Sequence, residues 1–232
     1  MKDGGWFHFY DDKKPKPAYI PPPRKAAPPL KNADKILDNL YNDPLAVSSL
    51  ASSLGVAESA LHSLGFKWSP EHKAFACPMR NGENEIIGIH LRSTEGKKAI
   101  TGSRLGLFIP QGIEPQKVAM ICEGASDCAA LLTMGYFAIG RPSCSFGAAM
   151  IKVALKRLGV HRCVVVADND GAKTNGKRPG LEGAVKLKKE LGMMSVIWMP
   201  PSPIKDVREF VKKGGTRGMI ENDIAHKIWT PK

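Results

Sequence analysis

Long uncharged apolar segments are missing from this sequence of 232 residues. The longest, such as residues 163–167, fall far short of the roughly 20 residues that a membrane-spanning helix needs. The first residues, Met1-Lys-Asp-Gly-Gly, lack the apolar region of a secretory signal peptide. We therefore expect a cytoplasmic protein that has no membrane partner.

Cysteine is also scarce, at five residues. No two of these cysteines have the C-x-x-C spacing of a zinc ribbon or of a redox pair. Their odd number does not fit a disulfide framework, and disulfides are rare in the cytosol. We expect reduced thiols and no zinc site in this chain.

Acidic residues are outnumbered, with 22 Asp and Glu against 34 Lys and Arg, which gives a net charge of +12 and a pI of about 9.5. A chain this basic is attracted to polyanions. Nucleic acid is the leading candidate partner, and a nonspecific basic surface is the alternative.

The first half of the chain divides into three segments by composition. Residues 1–32 combine an aromatic stub with a basic linker whose prolines disfavour both helix and sheet. Residues 33–65 carry leucines at helical spacing and predict a small helical segment. Gly55 could separate the helices of a helix-turn-helix, but the second helix has no Lys or Arg, which favours a packing role. Residues 66–116 alternate apolar and polar positions between Gly-containing turns, which predicts a basic antiparallel β subdomain.

The second half, residues 117–232, alternates short Val- and Ile-rich runs with helical patterns. This rhythm predicts parallel strands joined by helical crossovers, and thus an α/β domain followed by C-terminal helices. We place the strands at residues 118–122, 136–139, 163–167 and 195–199. The helices between them are predicted at residues 126–134, 146–158 and 181–191.

Acidic residues follow the ends of these predicted strands, where α/β proteins bind their ligands. They are Glu123, Asp127, Asp168, Asp170 and Asp206. Carboxylates about 4 Å apart repel each other by about 4 kcal/mol at an effective dielectric constant of 20, so such a cluster needs a compensating cation. Mg²⁺ or Mn²⁺, which prefer oxygen ligands, are the natural occupants. The alternative is that Glu123 caps a helix and that Asp168 and Asp170 only form a turn.

The acidic residues also carry a resemblance to a known family. Glu123-Gly124-x-x-Asp127, Asp168-x-Asp170-Gly171 after an apolar strand, and Lys205-Asp206 resemble the TOPRIM domain of DnaG-type primases, topoisomerases and certain nucleases. Upstream, residues 88–92, 96–98, 101–104 and 107–108 are similar to the basic subdomain that precedes TOPRIM in bacterial, phage and mitochondrial primases and primase-helicases. The resemblance covers about residues 66–215. It implies a TOPRIM parallel-sheet domain preceded by a small mixed α+β basic subdomain and by the Pro-rich basic N-terminal linker.

The implied activity is that of a DNA primase catalytic core, a nucleotidyltransferase that makes short RNA primers from ribonucleoside triphosphates on a single-stranded DNA template. Glu123, Asp168 and Asp170 would be catalytic, with Glu123 acting on the nucleophile. Two or more Mg²⁺ or Mn²⁺ ions would be held by these three residues together with Asp127 and Asp206. The residues expected to bind nucleotide or nucleic acid are Arg92, Lys97, Lys98, Arg104, Lys173, Lys177, Arg178 and Lys205.

The sequence departs from the family pattern in two places. Residues 172–179 intervene between the Asp-x-Asp-Gly motif and the next helix, and they could supply bases at the metal site or form a solvated loop. The zinc ribbon that commonly precedes this core has no ligand set here. Template choice would therefore depend on a partner, either a replicative helicase or a separate zinc-binding module.

Two other functions remain open from sequence. The first is a TOPRIM nuclease that uses the same metals to hydrolyse phosphodiesters, although the basic segment upstream favours a primase. The second is a noncatalytic nucleic-acid-binding or recombination accessory protein. Retention of the whole acidic set argues against this second function, because an inactive relative has little reason to tolerate the repulsion.

Overall fold

Two four-stranded sheets, one antiparallel and one parallel, organise the part of the chain that the structure describes. The structure is a computed structural model, and it describes residues 29–41, 43–171, 176–192 and 194–227. The aromatic stub and most of the Pro-rich linker predicted for residues 1–32 lie outside the described residues. The combination of the two sheets with helices confirms the mixed α/β class.

Three short helices precede the antiparallel sheet: α1 (Ala33–Asp38), α2 (Pro44–Leu54) and α3 (Glu58–Ser63). Helix α2 begins where the Asp43 side chain accepts a hydrogen bond from the Ala46 backbone N–H at 3.0 Å, as an N-cap does. It ends at Gly55, whose φ of 70° suits the left-handed conformation of a helix C-terminus. Leucines of α2 and α3, including Leu50, Leu54 and Leu61, are buried in the main core.

The antiparallel sheet has the order β1-β2-β3-β4. Its strands are β1 (Lys67–Ser69), β2 (Ala74–Arg80), β3 (Ile86–Ser93) and β4 (Gly96–Ala99). In the register of β3 with β4, Arg92 pairs with Lys97 and His90 pairs with Ala99. Two cations therefore lie side by side across these strands.

The parallel sheet has the order β6-β5-β7-β8, with every neighbouring pair parallel. Its strands are β5 (Val118–Glu123), β6 (Ala138–Arg141), β7 (Arg162–Val166) and β8 (Met194–Trp198). The connecting helices are α4 (Gly124–Thr133), α5 (Ala148–Arg157) and α6 (Pro179–Leu191). This is the strand–helix alternation that the sequence predicts, and it brings the carboxyl ends of all four strands to one edge.

A short segment bonds to both sheets and fixes them relative to each other. Leu107 exchanges backbone hydrogen bonds with Arg80 of β2, at 2.7 and 2.8 Å. The next residue, Phe108, exchanges backbone hydrogen bonds with Gly140 of β6, at 2.8 and 2.9 Å. Met79 of the antiparallel sheet also shares a core with Met120 of the parallel sheet. The edge of the parallel sheet therefore faces strands β3 and β4 across a defined gap.

Two more helices, α7 (Val207–Lys212) and α8 (Arg217–Ala225), follow the parallel sheet. Phe210 of α7 packs edge-to-face on Trp198 of β8, with ring centroids 5.3 Å apart, and Ile220 of α8 is buried in the same core. The five cysteines all lie in described residues and are free. No helix in the described ranges combines the length and the apolar character needed to cross a membrane.

Candidate active site

The predicted acidic residues come together at the carboxyl edge of the parallel sheet. Glu123 is the last residue of β5, and Asp127 follows on the first turn of α4 because Gly124, with a φ of 73°, lets the strand turn directly into the helix. Asp168 follows β7, and Asp206 is the residue before α7. These four carboxylates line one cleft of about 330 Å³, which we call the acidic cleft. Its lining residues are Arg92, Lys97, Glu123, Gly124, Ser126, Asp127, Pro142, Asp168, Lys205, Asp206 and Arg208.

Three carboxylates of the cleft, those of Glu123, Asp127 and Asp168, have raised pKa values. Burial, followed by the charge of Asp168, raises the pKa of Glu123 to about 7. Burial, followed by the charges of Asp206 and Asp168, raises the pKa of Asp127 to about 7. Burial, followed by the charges of Asp170 and Asp206, raises the pKa of Asp168 to about 6. The carboxylates therefore lie close enough to raise one another's pKa by charge repulsion. The sequence predicts this proximity for strand ends that meet at one edge.

Glu123 has a buried arginine beside it. Arg141, the last residue of β6, is 1% exposed and places its Nη2 atom 3.5 Å from Glu123 Oε1. Its Nη1 donates a hydrogen bond to the Cys144 backbone oxygen at 2.7 Å, which fixes the direction of the guanidinium. Arg141 lowers the pKa of Glu123 but does not outweigh burial and Asp168. Arg141 was not among the residues predicted from sequence, although its place at the end of β6 follows from the rule that parallel strand ends meet at one edge.

Asp127 is the most isolated carboxylate. It is 8% exposed, and its Oδ1 atom is buried without a hydrogen-bond partner among the described residues. The charges of Arg208 and Lys97 lower its pKa, yet neither offsets the burial and the two neighbouring aspartates. A buried oxygen without a partner carries the full cost of desolvation, because no hydrogen bond replaces its bonds to water. This position is therefore suited to an added cation or hydrogen-bond donor.

The loop after β7 is held by Asn169, which lies between the two aspartates of the motif. Its backbone N–H donates to the Lys205 oxygen at 2.6 Å, and its Nδ2 donates to the Pro200 and Ile204 oxygens, each at 3.2 Å. Asn169 therefore ties the β7 loop to the loop before α7. Gly180 of α6 packs against this loop so closely that a Cβ atom there would lie 2.5 Å from the Asp168 backbone oxygen.

Asp206 and Asp170 lie at the sides of the acidic cleft. One oxygen of Asp206 accepts a hydrogen bond from the Glu209 backbone N–H at 2.7 Å and caps α7. The other oxygen is 3.6 Å from Arg208 Nη2, a second cation that the sequence analysis missed. Asp170 is more open, with a side chain 38% exposed, and its Oδ1 lies 3.5 Å from Lys205 Nζ.

The structure brings only some of the predicted basic residues to the cleft. Arg92, Lys97 and Lys205 line it. Lys98 does not line the cleft but a second cavity beside it, of about 340 Å³. Its Nζ atom lies 3.7 Å from Glu95 Oε2. Arg104 is exposed and lines neither cavity.

The three basic residues predicted between β7 and α6 have different placements. Lys173 lies outside the described residues. Lys177 is exposed just before α6. Arg178 donates from its Nη2 to the Asn169 side-chain oxygen at 2.8 Å. That bond connects Arg178 to the aspartate loop from outside the cleft, so in this arrangement it supports the loop.

The donor set fits a hard divalent cation. All the candidate ligands are carboxylates, and Glu123 Oε1 and Asp127 Oδ1 are both buried without a hydrogen-bond partner among the described residues. In their present rotamers, no three Asp, Glu, His or Cys side chains in the described ranges form a ready-made metal cage. Mg²⁺ does not require one, because it commonly keeps several waters and binds one or two carboxylates together with substrate phosphates.

Comparisons of the fold identify similar solved structures, whereas no protein-family model and no curated protein matches the sequence. The primase of Aquifex aeolicus, in a structure of its zinc-binding and RNA polymerase domains, has a TM-score of 0.61 at 15% identity over 80% of this chain and 58% of that one. The DnaG primase catalytic domain bound to single-stranded DNA has a TM-score of 0.58 at 15% identity, over 80% of this chain and 74% of that one. This chain has the fold of a primase catalytic core.

The TOPRIM resemblance drawn from the acidic motif is thereby confirmed at the level of the fold. The primase fragment of the bacteriophage T7 primase-helicase has the same primase fold, with a TM-score of 0.51 at 17% identity, over 73% of this chain and 72% of that one. The chain spans little more than half of the Aquifex aeolicus structure, which also contains a zinc-binding domain. Along this chain the antiparallel sheet precedes the parallel sheet, which is the order that the resemblance implies.

Proposed function

We propose that this chain is the catalytic core of a DNA primase, a nucleotidyltransferase that makes short RNA primers from ribonucleoside triphosphates on a single-stranded DNA template. The observation that carries the proposal is the acidic cleft itself. Carboxylates from the ends of β5 and β7 and from the start of α7 lie in one cavity with Arg92 of β3 and Lys97 of β4. Such a cavity can hold divalent cations and phosphate groups at the same time.

In the proposed reaction, the 3′-hydroxyl oxygen of the growing primer attacks the α-phosphorus of the incoming nucleotide. A phosphodiester bond forms, the bond to the β-phosphate breaks, and pyrophosphate leaves with that electron pair. Bound Mg²⁺ or Mn²⁺ would stabilise the charge that develops on the attacking and leaving oxygens. The protein contributes position and charge, because this reaction needs no covalent intermediate with a side chain.

Glu123 is the proposed acceptor of the hydroxyl proton. Its pKa of about 7 lets it accept a proton near neutral pH and release it again, which is the range in which a general base is most effective. Arg141 is the proposed positioning residue for Glu123, since its guanidinium is fixed by the Cys144 backbone and directed at the carboxylate. Asp127, Asp168, Asp170 and Asp206 are the remaining proposed metal ligands.

Arg92 and Lys97 are the proposed phosphate-binding residues. They are cross-strand neighbours, and both line the cleft opposite the aspartates, so they can bind the triphosphate or the template backbone. Lys205 pairs with Asp170 at 3.5 Å and could exchange that carboxylate for a phosphate oxygen. We propose that a replicative helicase or a separate zinc-binding module supplies template choice, as the sequence analysis expects.

Primer synthesis on single-stranded DNA tests this function directly. The assay combines unlabelled template, labelled ribonucleoside triphosphates and either Mg²⁺ or Mn²⁺, and products are resolved by length. We expect short RNA products from the wild type and at least about a 100-fold loss after Asp168→Ala combined with Asp170→Ala, since both carry metal charge stabilisation. The matched control combines Asp38→Ala with Glu190→Ala, two carboxylates on α1 and α6 outside the cleft, and should retain activity.

Three outcomes would contradict the proposal. Full activity of the Asp168/Asp170 double variant would show that the acidic cleft is not the catalytic centre. In a parallel reaction with the oligonucleotide labelled instead of the nucleotides, its shortening without synthesis would indicate the nuclease alternative. A mobility shift with neither extension nor cleavage would indicate the noncatalytic binding protein.

A further inference from the structure

Arg208 is a cation of the acidic cleft that has no part in the proposed reaction. It is the second residue of α7, and it lines the cleft together with Asp127 and Asp206. On the same helix, Val207 and Phe210 are only 1% and 2% exposed, so they anchor α7 in the core and fix the point from which Arg208 extends. The side chain of Arg208 itself is 32% exposed. Arg208 is therefore held at the cleft but keeps solvent on one side.

The position of Arg208 is unfavourable for the helix that carries it. The first turn of a helix has unpaired N–H groups and a partial positive charge, so acidic residues are favoured there and basic residues are not. Asp206 at the N-cap and Glu209 in the first turn of α7 follow this rule, whereas Arg208 departs from it. The reason for an arginine at this position therefore lies in the charges of the cleft.

The Asp206 carboxylate is the ion-pair partner of Arg208, and one of its two oxygens is already in use. Its Oδ1 accepts a hydrogen bond from the Glu209 backbone N–H at 2.7 Å and caps α7. Its Oδ2 lies 3.6 Å from Arg208 Nη2. That distance permits an ion pair but exceeds the length of a hydrogen bond, about 2.7–3.2 Å. The oxygen that is left for a metal ion is thus the one beside Arg208, and the guanidinium can leave it without breaking a hydrogen bond.

The charge of Arg208 also acts on other groups of the cleft. Burial and then the neighbouring aspartates raise the pKa of Asp127, and Arg208 lowers that pKa more than Lys97 does. Burial and then the charge of Arg208 lower the pKa of Arg92, which lines the same cleft from β3. Arg208 therefore lies where it offsets the carboxylates, and where a divalent cation bound to them would repel it.

We propose that Arg208 is an internal counter-cation that a divalent metal ion displaces from Asp206. This inference rests on the proposed function for the identity of the competing ion. Without metal, the guanidinium offsets part of the repulsion among the carboxylates. When the metal ion binds, Asp206 Oδ2 exchanges Arg208 for the ion, and the guanidinium turns toward solvent. The cleft therefore binds metal more weakly than the same carboxylates would without this arginine.

Calorimetric titration of the full chain with Mn²⁺ tests the competition, because the direction of the change decides it. Arg208→Gln removes the charge and should bind Mn²⁺ about tenfold more tightly than the wild type, which corresponds to about 1.4 kcal/mol. In EDTA, the same variant should have a lower thermal midpoint than the wild type, since the carboxylates then repel each other without a counter-cation. Arg208→Lys keeps the charge and should lie closer to the wild type in both measurements.

Two further measurements make the test specific. Lys212→Gln is the matched control, because Lys212 is exposed on the same helix and does not line the cleft. It removes the same charge and should bind Mn²⁺ like the wild type. NMR of isotope-labelled arginine side chains follows Arg208 in the wild type, so this measurement does not depend on the folding of Arg208→Gln. The Nε–H signal of Arg208, assigned with Arg208→Lys, should move toward that of a free arginine as Mg²⁺ is added.

Unchanged or weaker Mn²⁺ binding by Arg208→Gln would overturn the proposal, as would an Arg208 signal that Mg²⁺ leaves unchanged. Equal tightening by Lys212→Gln would also overturn it, because net charge alone would then explain the effect. A wild type that binds no Mn²⁺ would overturn both the metal centre and the displacement. Mn²⁺ binding that is lost in Asp168→Ala combined with Asp170→Ala, but is unaffected by Arg208→Gln, would support the metal centre and refute the displacement alone.

Discussion

Replacing Asp127 by asparagine should make the metal-free protein more stable above neutral pH. The carboxyl has a pKa of about 7 in the folded chain against an ordinary value of 3.8, and it is 8% exposed. At 1.36 kcal/mol per pKa unit, deprotonation therefore lowers the free energy of unfolding by about 4 kcal/mol. Asparagine keeps the shape of the side chain and has no charge to bury.

The sign of the pH dependence follows from the direction of the shift. Below the unfolded pKa, Asp127 is protonated in both states and costs nothing. Between the unfolded and the folded pKa only the unfolded state has released this proton, so stability falls as pH rises through that window, and it stays at its lower value above the folded pKa. His90 acts in the opposite sense, because burial and then Lys97 lower its pKa to about 4, so stability is lost as pH falls below 6.5.

Urea unfolding in EDTA from about pH 5 to about pH 8 separates the two effects, because the comparison is variant against wild type at each pH. The difference should grow with pH toward the ~4 kcal/mol limit. Mg²⁺ or Mn²⁺ at the higher pH should stabilise the wild type more than Asp127→Asn. Asp38→Asn, on the exposed surface of α1, is the control and should follow the wild type. Parallel curves for Asp127→Asn and wild type would show that a neighbouring cation already neutralises this carboxylate, which would refute the reasoning.

Three other perturbations give expected outcomes. Arg141→Met removes the charge that lowers the pKa of Glu123, so the acidic limb of the pH profile of primer synthesis should move to higher pH; a shift to lower pH would contradict this role. Arg92→Ala combined with Lys97→Ala should weaken oligonucleotide binding and reduce the slope of log K against log salt by about 1.4, at about 0.7 per phosphate contact for single strands. An unchanged slope would place the nucleic acid elsewhere. Gly180→Ala puts a Cβ atom 2.5 Å from a backbone oxygen of the aspartate loop. It should reduce primer synthesis and lower the thermal midpoint, and unchanged values for both would show that the loop can move aside.

The parallel sheet could be predicted from sequence because its strands are buried on both faces. Such strands appear as continuous Val- and Ile-rich runs, and β7 at Arg162–Val166 differs by one residue from the predicted 163–167. Helix α6 begins at Pro179, two residues before the prediction. Proline at the first position of a helix loses no hydrogen bond, so the Pro-Gly pair starts this helix.

The acidic cleft was predictable only in part. The rule that parallel strand ends share one edge predicts that the aspartates and Glu123 lie near each other. It gives no side-chain directions, so it cannot show that Arg141 lies against Glu123 or that Arg104 does not line the cleft. The position of Arg92 and Lys97 opposite the carboxylates depends on how the two sheets are held through Leu107 and Phe108, and no local pattern encodes that contact.

The distribution of charge in the cleft favours the proposed metal centre over a simple anion-binding surface. Three carboxylates have a cation 3.5 to 3.6 Å away, in the pairs Glu123–Arg141, Asp170–Lys205 and Asp206–Arg208. Asp127 has no Lys or Arg nitrogen within 4 Å among the described residues. A chain with a net charge of +12 nevertheless keeps carboxylates here whose pKa values are raised by burial and by one another. The basic surface attracts phosphate, but the carboxylates at its centre repel phosphate unless a cation lies between them. A cation between carboxylates and phosphate is the arrangement that metal-assisted phosphoryl transfer requires.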